Sequence, residues 1–220
     1  MLNFFTELIK SRNLIKFSYF PIFQKFRING SGNKINVASR LLFSKLIVNG
    51  SGNQIDLKKN VSKKIFINIE GNNNKIIIND ARDISNIELI IKDHNNLIFI
   101  DSNTGIGGAR IVCMGNKQSI SIGKNCMLSD GIEIWNYDGH SIFDIDNNIL
   151  NKPKSIIIED NVWIGRNVSI LKGSKIGKGS VIGMNSLISN KGIEQNSLAV
   201  GTPVKITKKN IHWSIDRYYE

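Results

Sequence analysis

The sequence predicts an all-β solenoid, in which the chain winds into stacked coils with three flat sides. The strongest observation is an isoleucine that recurs every six residues, a period that neither an α-helix nor a single β-strand produces. A period of six fits one aliphatic side chain pointing inward on each flat side, with a small residue near each corner. The recurring residues are Ile158, Ile164, Ile170, Ile176, Ile182 and Ile188, and the small or modest ones between them are Val162, Val168, Ser174, Ser180, Ser186 and Gly192.

The first half of the chain repeats more loosely. Turns rich in glycine and asparagine recur 20, 21, 22 and 22 residues apart, each between stretches with Ile, Val or Leu at alternate positions. Both residue types tolerate a positive φ, so these turns fit the corners of longer coils, and asparagines at equivalent corners can stack into ladders. The turns begin at Gly30, Gly50, Gly71, Asp93 and Gly115. We therefore expect one solenoid over residues 28–200, with roughly eight coils and no second domain.

The N-terminal segment is expected to cap the open end of the coils. Residues 1–27 are aromatic and basic, and Leu2, Phe5 and Ile9 lie at helical spacing, which favours a short amphipathic helix. A peripheral contact with the inner membrane through the same aromatics and lysines is the alternative. Charges interrupt every apolar run, so neither a transmembrane helix nor a signal peptide is expected.

Two segments break the six-residue repeat. Residues 136–155, which read NYDGHSIFDIDNNILNKPKS, form a polar excursion between regular coils, and function tends to lie where a loop leaves a rigid scaffold. In residues 201–220, a turn at Gly201-Thr202-Pro203 is expected to lead into a C-terminal helix.

Composition excludes several classes of protein. With 41% hydrophobic residues, 21% charged residues and 3 prolines, the chain is expected to fold rather than stay disordered. The net charge of +11 fits a phosphate-bearing small molecule or an anionic membrane surface. The lysines lack the interleaved aromatics of a base-stacking surface, so no nucleic-acid partner is expected. Cys113 and Cys126 have neither a CxxC pattern nor a histidine partner, so we expect small buried hydrophobic residues in a reducing compartment and no metal.

The regular repeats and the tail after them resemble a known family. The residues IEDNVWIGRNVSILKGSKIGKGSVIGMNSLISN and GTPVKITKKNIHW are similar to the hexapeptide-repeat acyltransferases, in particular to the branch that O-acetylates sugars, capsules and O-antigens. The stretch DGHSIFD is similar to the loop that carries the catalytic histidine in that family. The resemblance covers about residues 119–213. It implies a left-handed parallel β-helix, a homotrimer, and acetyl-CoA bound in a cleft between neighbouring subunits.

The resemblance gives the excursion a catalytic role. Acetyl transfer to an alcohol needs a base that takes the hydroxyl proton while the oxygen attacks the thioester, and donors for the developing oxyanion. A neutral imidazole suits the first task near pH 7. Of the three histidines, His140 matches the family's catalytic position, whereas His94 and His212 are expected to be solvated surface residues.

Five further residues are candidates for binding the acceptor or orienting the base. Trp163 matches a family residue that borders the acceptor and thioester pocket, and packing against a neighbouring subunit is compatible with that role. Asp138, Asp144 or a backbone carbonyl is expected to orient the ring of His140, and Asp144 could equally bind the acceptor. Trp135 and Tyr137 either form an aromatic wall for a sugar ring or pack the loop.

The resemblance also implies a site for the cofactor. Pantetheine would run along the coils, and lysines near the end of the chain would hold the CoA phosphates. The candidates are Gly183, Ser189, Asn190, Lys191, Lys205, Lys208 and Lys209. Where the family usually has an alanine this chain has Met184, which would narrow or reshape the groove.

Three alternatives compete with a cytoplasmic O-acetyltransferase, which could act at the inner face of the membrane, and the histidine count argues against the first of them. A zinc carbonic anhydrase on the same fold needs three histidine ligands at one interface, and residues 95–211 contain only His140. A non-catalytic solenoid that binds a saccharide fits the Gly/Asn-rich first half. An N-acetyltransferase of a nucleotide-linked amino sugar would use the same base and cofactor.

Overall fold

The protein forms a parallel β-solenoid, in which successive coils add strands to three sheets. The computed structural model describes residues 6–10, 12–61 and 63–216, with side chains from residue 12 onward. In chain order the strands are β1 (Thr6–Lys10), β2 (Asn13–Phe17), β3 (Ile22–Asn29), β4 (Lys34–Val37), β5 (Leu42–Asn49), β6 (Gln54–Leu57), β7 (Phe66–Glu70), β8 (Lys75–Ile78), β9 (Asp83–Ile84), β10 (Ile87–Lys92), β11 (Leu97–Ile100), β12 (Gly105–Ile106), β13 (Ala109–Cys113), β14 (Ser119–Ile122), β15 (Met127–Leu128), β16 (Ile132–Trp135), β17 (Ile156–Ile158), β18 (Trp163–Ile164), β19 (Ser169–Leu171), β20 (Lys175–Ile176), β21 (Val181–Ile182), β22 (Leu187–Ile188), β23 (Gly192–Ile193), β24 (Ser197–Val200) and β25 (Lys205–Lys209).

The three sheets form the three sides of the solenoid. Sheet 1 has the order β1-β2-β4-β6-β8-β11-β14-β17-β20-β23, sheet 2 the order β22-β19-β16-β13-β10-β7-β5-β3, and sheet 3 the order β25-β24-β21-β18-β15-β12-β9. A complete coil visits sheet 3, then sheet 2, then sheet 1, as β9, β10 and β11 do. The edge between sheets 2 and 1 is called the loop edge below, because residues 136–155 leave the solenoid there, between β16 and β17.

The core follows the six-residue period. The six isoleucines from Ile158 to Ile188 have side chains that are at most 1% exposed, so the predicted inward position is confirmed. They stack on equivalent residues of the next coil, as Ile158 does on Ile176. The period slips by one residue in the last block, where Gly192 is exposed and Ile193 is buried instead.

A ladder of buried asparagines runs along the loop edge through the first coils. Its rungs are Asn13, Asn33, Asn53, Asn74 and Asn96, each at most 4% exposed. The side-chain oxygen of one rung accepts a hydrogen bond from the backbone N–H of the next, over 2.8 to 2.9 Å. The amide groups of Asn33 and Asn53 also donate to glycine carbonyls at 2.9 Å. The predicted asparagine ladder is therefore confirmed, and it gives the buried corner groups their hydrogen-bond partners.

The helix expected in residues 1–27 is wrong for the part of that segment that the structure describes. Residues 6–10 and 13–17 are strands, and β2 pairs in parallel with β4, with Leu14 opposite Lys34. The parallel ladder therefore begins at Asn13 rather than near residue 28. The physical reason is that Asn13 can serve as a further rung, and pairing with an existing sheet satisfies backbone groups that a short isolated helix satisfies poorly. Residues 1–5 and 11 lie outside the described residues.

The C-terminal helix is also wrong for the described residues. The predicted turn at Gly201-Thr202-Pro203 is present, but β25 follows it and pairs antiparallel with β24. Val204, which is 2% exposed, is buried beneath the returning chain. This segment forms a strand because pairing with β24 covers the last edge of sheet 3, which would otherwise be open. No helix in residues 6–10, 12–61 or 63–216 could cross a membrane.

Candidate active site

The excursion at residues 136–155 is anchored at its base by a buried asparagine. The side-chain oxygen of Asn136 accepts a hydrogen bond from the N–H of Met114 at 2.7 Å, and its amide donates to the carbonyl of Met114 at 2.9 Å. The N–H of Lys154 donates to the Asn136 carbonyl at 3.1 Å, which joins the two ends of the loop. The loop therefore rises from a fixed base on the solenoid.

The outer part of the loop is a small antiparallel hairpin. Phe143 bridges Ile149, and a tight turn joins them at Asp144. The Asp144 carboxylate accepts hydrogen bonds from the N–H of Asp146 at 2.9 Å and from the N–H and side-chain amide of Asn148 at 2.8 and 3.0 Å. Hydrogen bonds from Asn148 lower the pKa of Asp144 below its ordinary value. Asp144 therefore shapes the hairpin turn and makes no described hydrogen bond with His140.

His140 lies at the foot of the hairpin, with an exposed side chain. Its backbone is held by Asn151, whose amide donates to the His140 carbonyl at 2.8 Å and to the Asp138 carboxylate at 2.8 Å. The Asn151 side-chain oxygen accepts from the N–H of Ile142 at 2.7 Å. Because Asn151 is only 6% exposed, this bridge is largely shielded from water. It fixes the backbone at His140 and Ile142 and holds the carboxylate of Asp138.

The carboxylate of Asp138 is tied to the next coil. It accepts a short hydrogen bond from Lys172, with which it also forms an ion pair. Partial burial raises the pKa of Asp138, but the hydrogen bonds from Lys172 and Asn151 and the charge of Lys172 outweigh it, so this pKa lies below its usual value. Within the described hydrogen bonds, neither Asp138 nor Asp144 contacts the imidazole of His140. Both aspartates shape the loop around the histidine instead.

The aromatic residues ahead of the loop are also held in place. The indole N–H of Trp135 donates to Glu133 at 2.6 Å, and the guanidinium of Arg110 lies over its ring, 5.1 Å from the centroid. The hydroxyl of Tyr137 lies 3.0 Å from the hydroxyl of Ser141. Trp135 therefore presents its ring on the outer face of sheet 2, while Tyr137 packs within the loop.

Trp163 lies on another side of the solenoid. It belongs to β18 in sheet 3 and is 38% exposed. Trp213 lies against it, with ring centroids 6.0 Å apart, and donates its indole N–H to the carbonyl of Asn161 at 2.8 Å. Since His140 emerges at the loop edge, between sheets 2 and 1, the structure does not bring Trp163 and His140 of one chain into a common cleft.

Three of the cofactor candidates lie on the loop edge, beside the excursion. The side-chain oxygen of Asn190 accepts a hydrogen bond from Lys154 at 3.0 Å, and Ser189 and Lys191 flank it. Lys191 donates to the carbonyl of Val204 at 3.0 Å. Ser189, Asn190 and Lys191 are therefore brought close to the C-terminal foot of the loop that carries His140.

The other cofactor candidates lie elsewhere. Gly183 is at the edge between sheets 3 and 2, where a Cβ atom would meet the Val200 side chain at 2.5 Å, so its small size serves coil packing. Lys205, Lys208 and Lys209 belong to β25 in sheet 3, and Lys209 pairs with Glu194 at 2.7 Å. Met184, next to Gly183, is 63% exposed.

Known proteins with the same repeats identify the family. A family described as "Bacterial transferase hexapeptide (six repeats)" matches residues 155–190. The polysialic acid O-acetyltransferase of Neisseria meningitidis is 43% identical over 155 residues, which are 70% of this chain and 71% of that protein. The chain belongs to the hexapeptide-repeat acyltransferases. Its branch is that of the polysaccharide O-acetyltransferases.

Two solved structures support the same conclusion. The polySia-specific acetyltransferase NeuO is 32% identical, with a TM-score of 0.76 over 90% of this chain and 85% of that chain. The polysialic acid O-acetyltransferase OatWY is 32% identical, with a TM-score of 0.74 over 91% and 94%. The polysialic acid O-acetyltransferase of Escherichia coli O1:K1 / APEC is 44% identical over 126 residues, which span 57% of this chain and 40% of that protein. The predicted fold class, a left-handed parallel β-helix, and the predicted acetyltransferase activity are confirmed.

In this acyltransferase the remaining histidines and the cysteines are not part of the loop. His94 and His212 are exposed, and the Nδ1 atom of His94 accepts a hydrogen bond from the N–H of Asn72 at 3.0 Å. Cys113 and Cys126 are buried, as predicted, and burial raises their pKa values to about 12 and about 11.

Three residues around the site were missed by sequence reasoning. Asn151 is one of several asparagines in a polar loop, and nothing in the sequence marks it as the buried one. Lys172 resembles the other lysines at repeat corners, so its pairing with Asp138 depends on the coil register. Trp213 carried a signal, because it is one of only 3 tryptophans and follows the turn at the end of the repeats.

Proposed function

We propose that this acyltransferase transfers an acetyl group from acetyl-CoA to a hydroxyl of an acidic capsular polysaccharide of the polysialic acid type, with His140 as the general base. The activity of the relatives, O-acetylation of polysialic acid, supports the acceptor class. The observation that carries the mechanism is the histidine at the foot of the loop, whose backbone carbonyl accepts a hydrogen bond from Asn151 at 2.8 Å and whose side chain is exposed.

In the proposed reaction His140 moves one proton. A ring nitrogen of the neutral imidazole accepts the proton of the acceptor hydroxyl while that oxygen forms a bond to the acetyl carbonyl carbon. The same nitrogen then gives the proton to the departing thiolate as the carbon–sulfur bond breaks, so His140 ends neutral. Acetyl-CoA supplies the acetyl group as a thioester, which makes it an acyl donor strong enough to form an ester.

Positioning of the base is assigned to the loop itself. Asn151 holds the backbone of His140, and the ion pair of Asp138 with Lys172 ties this segment to the following coil. A catalytic group must be held close to its productive position, because misplacement by about 1 Å can reduce the rate about a hundredfold. We therefore treat Asn151, Asp138 and Lys172 as positioning residues and His140 as the catalytic residue.

The residues near the end of the chain fit the chemistry of a CoA site. Lys205 and Lys208 are exposed on β25, and no ion pair among residues 12–61 and 63–216 engages either of them. Such cations suit phosphate groups, and Lys191, which donates to the carbonyl of Val204 at 3.0 Å, adds a charge beside the start of β25. The charge of Lys209 is balanced by Glu194. Ser189 and Asn190 offer polar groups beside the loop. Gly183 packs against Val200 in the coil, and only its backbone is proposed as a contact for pantetheine.

We also propose that the active unit is a homotrimer. His140 and Trp163 lie on different sides of one chain, so a single subunit presents only half of the expected site. A neighbouring subunit whose sheet 3 faces the loop edge would bring its Trp163 to the loop of the first. This arrangement agrees with the expected cleft between subunits.

We further assign the reaction to the cytoplasm, because acetyl-CoA is formed there.

Mass spectrometry of the acceptor tests the reaction. Purified protein, acetyl-CoA and polysialic acid are expected to give mass increases of one acetyl group per modified sugar, lost on mild alkali because an ester hydrolyses where an amide persists. His140→Ala is expected to abolish transfer while CoA binding, measured by calorimetry, is retained. His94→Ala and His212→Ala are the matched controls and should keep full activity. Normal turnover by His140→Ala would overturn the mechanism.

A further inference from the structure

The positive charge of the chain is concentrated in its first coils. Residues 12–64 contain eleven lysines and arginines and a single carboxylate, Asp56, which gives this segment +10 of the total formal charge of +11. Asp56 lies 3.6 Å from Lys58. The excursion with His140 and the lysines of β25 lie outside this segment. The candidate active site therefore does not account for most of the protein's charge.

Part of this charge surrounds a groove at the edge between sheets 3 and 2. The groove has a volume of about 440 Å³, and Phe43, Lys45, Lys64 and Glu88 are among its lining residues. The charge of Glu88 is balanced by Arg110, whose Nε atom lies 3.3 Å from its carboxylate. This groove is called the basic groove below. A volume of this size is within the range of sites for small organic ligands.

The backbone at the basic groove is irregular in a specific way. The pairing of β3 with β5 shifts register twice, so that Phe43 and Gln24 have no partner across the ladder. Phe43 has a φ of 53°, which is rare for a bulky side chain, and it is 58% exposed. A bulge of this kind redirects a side chain, and bulges are frequent next to binding sites. The bulge presents a large apolar ring to solvent at the mouth of the groove.

Two consecutive lysines beside Phe43 have the same unusual backbone. Lys63 and Lys64 have φ values of 44° and 53°, and both are exposed. Residues held in this region are strained, and such residues cluster at functional sites. Among the described residues, no ion pair engages Lys45, Lys63 or Lys64. Lys45 and Lys64, which have no carboxylate partner among the described residues, thus line the groove together with one exposed aromatic ring.

We propose that the basic groove binds a sugar residue of the acidic polysaccharide at a distance from the site of acetyl transfer. This inference rests on the proposed function, because it takes the acceptor to be a polyanion. The apolar face of a sugar ring packs on an aromatic ring such as Phe43, and its carboxylate pairs with Lys45 and Lys64. The combination of ring and cations suits an acidic sugar better than either feature alone.

The position of the groove fits a chain-like ligand. The groove borders β5 of sheet 2, and Trp135 lies on β16 of the same sheet, four strands further along. With about 4.8 Å between strands, the two sites are about 19 Å apart. Arg110 lies between them on β13 and contacts Trp135. A polysaccharide along sheet 2 would therefore pass from the basic groove to the base of the loop with His140.

Charge reversal in the groove tests this binding site. Lys45→Glu combined with Lys64→Glu is expected to weaken binding of fluorescently labelled polysialic acid at least about tenfold, since like charges then face the polymer. The matched control reverses Lys34 and Lys75, which are exposed on sheet 1 of the same end. It changes the net charge equally and should alter affinity less than about twofold. Phe43→Asn removes the aromatic ring and introduces a residue type that tolerates positive φ. This variant should bind polysialic acid about fivefold more weakly.

Kinetics with acceptors of different length separate this inference from the proposed function. In the wild type, KM should fall as the acceptor lengthens from a trimer to a long polymer. In Lys45→Glu/Lys64→Glu the KM for the polymer should rise to that for the trimer, with kcat on the trimer unchanged. Absence of acetyl transfer by the wild type would reject the proposed function. The difference in affinity for polysialic acid between the groove variant and its control would still test the groove.

Several results would overturn the groove proposal. One is equal weakening by both lysine pairs, which would indicate a general effect of net charge. Another is an altered oligomeric state of Lys45→Glu/Lys64→Glu in light scattering, which would assign the groove to a subunit contact. A third is that this variant binds polysialic acid normally but loses binding to phosphatidylglycerol vesicles or to a single-stranded oligonucleotide.

Discussion

Trp213 stacks on Trp163, with ring centroids 6.0 Å apart and an angle of 45° between the ring planes. The contact joins the C-terminal tail to sheet 3, because the indole N–H of Trp213 also donates to the carbonyl of Asn161 at 2.8 Å. Trp163 therefore keeps 38% of its surface exposed although Trp213 already covers part of its ring. The tail takes part in defining the surface that we assign to the acceptor and thioester.

Replacing Trp213 tests this contact. Trp213→Ala is expected to lower the free energy of unfolding by at least about 1 kcal/mol, because it removes both an aromatic pair and the hydrogen bond to Asn161. The emission of Trp163 should shift to longer wavelength because more of its ring meets water. Urea unfolding and fluorescence in a Trp135→Phe background measure the two effects. Trp213→Phe should keep most of the stability, and an unshifted emission spectrum in Trp213→Ala would contradict the stacking.

The ion pair of Asp138 with Lys172 is expected to make stability depend on pH in acid. The folded-state pKa of Asp138 is lowered, so its contribution is fully present above the ordinary aspartate value of about 3.9 and is lost as the pH falls through the lowered pKa. Asp138→Asn should therefore be less stable than the wild type at pH 7 and equally stable at strongly acidic pH. Thermal unfolding of both proteins across this range measures the difference. A difference that grows towards acid would have the wrong sign.

Both cysteines are expected to be inert in the folded protein. Burial raises the pKa of Cys113 to about 12 and that of Cys126 to about 11, so the reactive thiolate is scarce at pH 8. An aromatic disulfide reagent should detect almost no thiol in the native protein and two in denaturant. Rapid labelling of either cysteine without unfolding would show that the adjoining coils open.

The asparagine ladder should be sensitive at its middle rungs. In Asn53→Ala the N–H of Asn74 loses its acceptor and the carbonyl of Gly71 its donor, at a cost of about 3 kcal/mol for two unpaired buried groups. The exposed Asn36, whose amide donates to Asp56 at 3.1 Å, is the matched control. Asn36→Ala should change the free energy of unfolding by less than about 0.5 kcal/mol. Similar losses in both variants would argue against the ladder.

Asn151 is expected to matter for turnover more than for stability. Asn151→Ala removes its hydrogen bonds to His140, Asp138 and Ile142, so kcat should fall about tenfold to a hundredfold with less effect on KM. The control is Asn148→Ala, which loses a hydrogen bond at the hairpin tip and should keep most of the activity. Equal effects of the two variants would show that the whole loop, and not the clamp on His140, sets the rate.

The core could be predicted because a period of six needs no distant information. Each isoleucine from Ile158 to Ile188 is recognisable by its spacing alone, and the structure buries all of them. The ends could not be predicted as well, since their conformation depends on an adjacent sheet. Asn13 becomes a rung only because Asn33 lies one coil away, and β25 is a strand only because β24 leaves an open edge.

The sequence singles out candidate site residues, but it does not reveal the contacts between them. His140 and Trp163 stand out by residue type and position. The partners of Asp138 could not be inferred, because Lys172 is 34 residues away and meets it only through the register of the coils. Sequence spacing also gave no warning that His140 and Trp163 occupy different sides of one chain.

The excursion at residues 136–155 adds very little to the entropic cost of closing its coil. Partners in the coil before it are 22 residues apart, as Ile98 and Ile120 are, and across the excursion they are 36 apart, as Ile120 and Ile156 are. By the entropy of loop closure this difference is worth only about 0.4 kcal/mol. Insertions and deletions at this one point are therefore nearly neutral for folding. The segment that we propose to contact the acceptor is free to diverge in length and sequence while the solenoid around it stays the same.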